Sequence, residues 1–179
     1  FIYQNETMNS ILLTGYLSNM RFSKTQLPNL KFFEVVPLDT QSFIILKYDT
    51  LFRQSVFVRA NHETIFSENI FIPRTEGEGL FSIDGVLHKH KNDKSLIYVF
   101  YYKNEFVRLD SNLKLIYSAK TIDTNRFAKV KVAKVRSRQT LNLAGPSPYV
   151  NRMSSVNKNY LFIYSAAMAD NERDKNGFP

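Results

Sequence analysis

Ser95-Leu96-Ile97-Tyr98-Val99-Phe100-Tyr101-Tyr102 is the stretch on which the reading of the fold turns. Seven of its eight residues are apolar or aromatic. A short run of this type, rich in β-branched and ring side chains, predicts a strand covered on both faces. Lys103-Asn104 interrupts it, and Glu105-Phe106-Val107-Arg108-Leu109 resumes the pattern. Asp110-Ser111-Asn112 then turns the chain into Leu113-Lys114-Leu115-Ile116-Tyr117. Asp, Ser and Asn favour such turns because their side chains bond the neighbouring backbone. Three strands joined by two tight turns make an antiparallel meander.

The same vocabulary extends outward. Phe32-Phe33-Glu34-Val35-Val36-Pro37-Leu38, Ser42-Phe43-Ile44-Ile45-Leu46-Lys47-Tyr48, Ser55-Val56-Phe57-Val58-Arg59, Thr64-Ile65-Phe66 and Tyr160-Leu161-Phe162-Ile163-Tyr164 are all runs of strand type. Apolar stripes at helical spacing are scarce. The sequence therefore predicts an all-β chain, with strands near 43–48, 55–60, 96–102, 105–110 and 113–119, and helix confined to short turns.

Parts of this pattern repeat. Phe57-Val58-Arg59 recurs as Phe106-Val107-Arg108, an offset of 49, and each copy is followed by a polar turn and a strand. Ser42-Phe43-Ile44 corresponds to Ser95-Leu96-Ile97 at an offset of 53, and Asn157-Lys158-Asn159-Tyr160-Leu161 to Asn92-Asp93-Lys94-Ser95-Leu96 at an offset of 65. Blade-like repeats thus fall near 32–66, 79–119 and 146–179, with residues 120–145 inserted. Repeats of about 40–50 residues, each a small antiparallel sheet, are the pattern of a β-propeller blade; a sandwich or an open meander is the competing arrangement. About four blades fit into 179 residues, and most propellers need more. The chain opens on Phe1-Ile2-Tyr3 and ends in the charged, turn-rich stretch from Asp170 to Pro179. The expectation is one incomplete propeller, a fragment truncated on both sides.

Composition excludes several chemistries. The chain has no Cys, which removes disulfide frameworks, Cys-ligated zinc, iron–sulfur clusters and thiol nucleophiles. No uncharged stretch reaches the roughly eighteen apolar residues of a membrane span. The Gly-x-Ser-x-Gly elbow, the His-Glu-x-x-His pair and a phosphate-binding Gly-rich loop are all missing from the sequence. No cofactor is indicated. Aspartates and glutamates are plentiful, so two carboxylates could still meet across a cleft, as glycoside hydrolysis requires.

Three segments, Phe32-Phe33-Glu34-Val35-Val36-Pro37-Leu38, Leu109-Asp110-Ser111-Asn112-Leu113-Lys114-Leu115-Ile116-Tyr117 and Tyr160-Leu161-Phe162-Ile163, give the chain a family likeness. Over residues 30–179 it resembles the six-bladed β-propeller proteins of Bacteroidetes-type bacterial envelopes, many of them lipoproteins of unassigned function. The resemblance implies an extracytoplasmic location, in the periplasm or at the cell surface. It also implies a non-catalytic scaffold or binding protein that presents loops to a protein or small-molecule partner, with any lipid anchor outside this chain. An envelope enzyme acting on glycans, with carboxylates from separate blades, is one alternative.

An anion-binding module is the other alternative. Residues 126–138 hold Arg126, Lys129, Lys131, Lys134, Arg136 and Arg138 and no acid, in a chain of net charge +8. Read as one strand, the segment places Lys129 and Lys131 on one face and Lys134, Arg136 and Arg138 on the other. It serves either as an anion site or as a charged edge that resists pairing with other chains. The interleaved residues are mainly Val and Ala, which give bases no stacking surface, so specific nucleic-acid binding is not expected. His88 and His90 stand at the spacing of two metal ligands, with His62 or Asp84 as a possible third. Lys89 and Lys91 beside them oppose a cation, and a surface turn is the plainer reading. Asp170, Glu172, Asp174 and Asn176 alternate like calcium ligands, yet they lack the glycine and bidentate glutamate of an EF-hand, and a solvated loop is expected.

Overall fold

In the computed structural model, the described residues are 2–5, 10–16, 18–24, 32–49, 54–69, 83–128, 130, 132–135, 140–143, 145 and 149–166. Their regular structure is entirely β, with fifteen strands and no helix. The chain divides into two compact units. One comprises Phe1–Pro73, Leu87–Ile97 and Arg108–Ile116, the other Arg74–Val86, Tyr98–Val107 and Tyr117–Pro179.

The strands form consecutive antiparallel sheets. The first sheet has the order β1 (Ile2–Asn5), β2 (Ser10–Tyr16), β3 (Arg21–Lys24). The second runs β4 (Phe32–Pro37), β5 (Phe43–Asp49), β6 (Gln54–Ala60), β7 (Ile65–Asn69). The third has four strands in the same sequential order, namely β8 (Gly85–Lys89), β9 (Leu96–Phe100), β10 (Glu105–Leu109) and β11 (Leu115–Lys120). Two hairpins follow, β12 (Val132–Val135) with β13 (Thr140–Leu143) and β14 (Asn151–Asn157) with β15 (Tyr160–Ser165). The repeats seen in the sequence map strand onto strand. Phe57-Val58-Arg59 and Phe106-Val107-Arg108 each lie in the third strand of a four-stranded sheet, and Phe43 and Leu96 each begin the second.

Burial follows strand position. In the first unit, Phe43 and Ile45 of β5 and Val56, Val58 and Ala60 of β6 join Leu12 and Phe32 in one core. Ile44, Leu46 and Phe57, which alternate with them, are buried as well. These two central strands are therefore covered on both faces, and each such side chain contributes about 1.5–3 kcal/mol. β9 is buried at every position, as its composition predicts. The last strands carry exposed apolar side chains, Phe66 in β7 and Leu115, Ile116 and Tyr117 in β11.

Turn chemistry sets the hairpins. The Asp39 carboxylate accepts from the amides of Gln41 and Ser42, the Asn61 side chain from Glu63 and Thr64, and the Asp110 carboxylate from Asn112 and Lys114. Four hairpins pass through a left-handed residue, at Met20, Lys94, Leu113 and Lys158. Each is preceded by Asn or Asp (Asn19, Asp93, Asn112, Asn157). This left-handed residue closes the turn in each case, in loops that run from two residues (β14–β15) to six (β8–β9). It also explains why β11 starts at Leu115 rather than 113.

Several like elements of the second and third sheets meet within the first unit. The Leu87 amide donates to both carboxylate oxygens of Glu34 at 3.3 Å. Lys89 donates to the Leu38 carbonyl, Arg59 donates to Asn112, and Lys94 pairs with Asp39 at 3.6 Å. The first of these contacts link first strand to first strand.

Three expectations need correction. His88-Lys89-His90-Lys91 is not a surface turn: His88 and Lys89 belong to β8, and His90 is buried at the strand's end. The preceding Gly85-Val86-Leu87 carries the strand through His88, and only residues 91–93 turn. The basic segment is not one strand from 126 to 138, because β12 spans only Val132–Val135 and residues 126–128 are irregular. The chain just before it is held by loop bonds instead, the Asn104 amide donating to the Asn125 carbonyl at 2.8 Å and the Asn104 side chain to the Asp123 carbonyl at 2.5 Å. Strand β9 stops at Phe100 because the groups of Tyr101 are committed elsewhere. Its amide donates to the Asp84 carbonyl, and its carbonyl accepts from Val150 and Asn151.

Candidate functional site

The ends of three hairpins surround a cleft of about 610 Å³ in the first unit. The β2–β3 hairpin supplies one wall. In its register Thr14 faces Ser23 and Tyr16 faces Arg21, so these four side chains project from one face. Asn19 shapes the turn by accepting from the Arg21 amide at 3.1 Å. Between Thr14 and Tyr16, Gly15 is required by space. A Cβ there would come within 2.1 Å of the Arg21 carbonyl oxygen and 2.6 Å of the Phe22 ring.

The other walls come from the second sheet. Thr40 lies in the β4–β5 turn and His62 in the β6–β7 turn. His62 is fixed twice. Its ring meets the buried Phe43 edge to face, 5.8 Å between centroids, and its Nδ1 shares a hydrogen bond of 3.3 Å with the Thr14 hydroxyl. Nε2 is thus the ring atom left to meet a ligand. The described lining residues offer a guanidinium, an imidazole, three hydroxyls, a carboxamide and the largely exposed ring of Tyr16, and none of them is a carboxylate. A hydroxyl beside an imidazole suggests a nucleophile with its base, but no acid among the described lining residues orients the histidine, as a catalytic triad needs. The geometry suits binding.

Titratable groups elsewhere are strongly perturbed. Burial raises Glu34 to about 7, partly offset by the Leu87 amide. Burial likewise raises Asp84 to about 6. In the second unit, Tyr101, Tyr102 and Tyr149 pack ring on ring, with centroids 5.2–6.3 Å apart. Burial pushes the Tyr102 hydroxyl up, helped by its hydrogen bond with Tyr149 and by the charge of Asp84. Lys103 is buried over the Phe100 ring, 3.9 Å from its centroid, and pairs with Glu105 at 3.1 Å. This group cross-links a loop, and its rings fill the space between them.

The residues singled out from sequence are dispersed. Arg126 is exposed and shares a smaller cleft of about 230 Å³ with Lys120, Asn104 and Glu105. Lys134 occupies β12, whereas Lys129, Lys131, Arg136 and Arg138 lie outside the described residues. Burial lowers His88, and His90 bonds the Asp93 carboxylate through Nδ1 at 2.9 Å. Asp93 also holds Arg108. Its burial is outweighed by bonds from Ser95, His90 and Arg108, which keep the carboxyl well below the usual range. Among the described residues no group of three or more His, Asp or Glu could hold a metal ion, and no helix is long and apolar enough to cross a membrane. The acidic loop at 170–176 lies outside the described residues. Sequence reasoning missed Thr14, Tyr16, Asn19, Arg21 and Ser23, since nothing in a short polar hairpin announces that two later turns close over it. His62 was visible in the sequence only in a polar turn and as a candidate third metal ligand, not as part of a cleft.

No family model, curated protein or solved structure matches the chain.

Proposed function

We propose that the chain is a non-catalytic binding scaffold of β-propeller type, which presents hairpin turns from successive blades to a small polar ligand. The observation that carries this reading is the convergence of turns from β2–β3, β4–β5 and β6–β7 on one cleft. Three features support the propeller. Two successive sheets are four-stranded meanders with matching repeats, their fourth strands carry exposed apolar side chains, and contacts between them join first strand to first strand at Glu34–Leu87 and β8 to the residue after β4 at Lys89–Leu38. Radial blades pack in this like-to-like way. The bacterial envelope is the location that the family resemblance suggests, and fractionating cells that express the natural protein tests it.

Binding is tested by screening polar fragments against the isotopically labelled chain by NMR. The expected result is shifts that cluster on Thr14, Arg21, Ser23, Thr40 and His62. Shifts confined to Lys120 and Arg126 would favour the anion-binding alternative instead.

A further inference from the structure

We infer that the ligand of the His62 cleft is a small hydroxylated carboxylate, of the sugar-acid class; this rests on the binding role proposed above. The charge of the cleft decides the sign of the ligand. Among the described residues, Arg21 is the one guanidinium that lines the cleft, no carboxylate side chain lines it, and Arg21 has no ion pair. A guanidinium open to a cleft presents a planar fork of donors that matches a carboxylate in two parallel hydrogen bonds. The chain's net charge of +8 adds a long-range attraction for anions.

The remaining lining decides the rest of the molecule. Thr14, Ser23 and Thr40 carry hydroxyls that both donate and accept, and Asn19 carries a carboxamide. Such groups satisfy ligand hydroxyls, whose donor and acceptor character is equally mixed. Tyr16, 68% exposed and directly across the strand pair from Arg21, offers its ring face to the C–H surface of a ligand ring. His62 Nε2 provides one further polar contact on the opposite wall. At about 610 Å³ the cleft lies inside the 300–1,000 Å³ range of small-molecule sites. A bare inorganic anion would satisfy Arg21 and leave the hydroxyl wall unused.

The test is an NMR titration of the labelled chain with glucuronate, glucose and inorganic sulfate at low ionic strength. Glucuronate is expected to saturate shifts at Arg21, Ser23 and His62, with glucose and sulfate each at least tenfold weaker. Arg21→Lys, on an exposed side chain that the fold does not need, is expected to weaken glucuronate at least tenfold without changing the melting temperature. Two outcomes overturn the ligand class and leave the cleft as a binding site: glucose binding as well as glucuronate, or sulfate binding as tightly as glucuronate. Shifts at none of the lining residues with any of the three probes would overturn the class and the binding role together.

Discussion

Glu34 concentrates the electrostatic cost of the fold in one side chain. Its carboxyl is raised from 4.5 to about 7 by burial. A folded-state value above the unfolded one means that stability is fully present below pH 4.5 and is lost as pH rises through 7. Each pKa unit is worth about 1.4 kcal/mol, so the loss is on the order of 3 kcal/mol. Glu34→Gln keeps an acceptor for the Leu87 amide and removes the charge. It should therefore unfold at higher denaturant than the parent at pH 8 and at nearly the same concentration at pH 4, as urea melts at the two pH values will show. Asn151 works in the opposite direction. Its side-chain amide donates to the buried carbonyls of Phe100 at 2.8 Å and Lys103 at 3.0 Å. Truncation leaves both acceptors without that donor, at about 1–3 kcal/mol for a buried group left unsatisfied. Asn151→Ala should lower the urea midpoint by a corresponding amount.

At the scale of the element, turn chemistry and strand spacing separate what the sequence shows from what it hides. Ser95–Tyr102 and Phe43–Tyr48 are legible because central strands buried on both faces need continuous apolar runs. β8 was hidden, because its second half is His88-Lys89, and a half-buried edge strand tolerates polar side chains. The cleft was hidden for a different reason: its residues come from hairpins separated by up to 48 positions, and only the closed fold brings them together. Two glycine-related predictions belong here. Gly85 lies so close to β9 that a Cβ would sit 2.3 Å from the Val99 carbonyl oxygen and 2.8 Å from the Tyr98 ring. Gly85→Ala must push the strands apart, at about 1–3 kcal/mol by the usual cost of overpacking, visible as a lower melting temperature. Met20 is the converse case, being exposed and held at φ 53°. Met20→Gly relieves the left-handed strain and should raise stability by about 0.5–1 kcal/mol, after the glycine's larger unfolded-state entropy is deducted.

Across the whole molecule, charge and repetition make separate predictions. A net charge of +8 gives a general attraction for polyanions, but the Val and Ala interleaved through the basic segment 126–138 give bases little to stack on. Single-stranded DNA should bind weakly at low salt, without sequence preference, and dissociate at physiological ionic strength; submicromolar binding that survives such salt would count against a small-ligand scaffold. Repetition bears on the central claim, that the successive meanders are blades. Phe57-Val58-Arg59 and Phe106-Val107-Arg108 fall on the same strand of their sheets, and Glu34 reaches β8 from β4. A crystal structure resolved to side chains is the most direct test. The account predicts β4–β7 and β8–β11 as neighbouring blades radiating from one axis, with β4 and β8 innermost and β7 and β11 at the rim. Two sheets stacked face to face as a sandwich, with β5 and β9 packed across the interface, would contradict it.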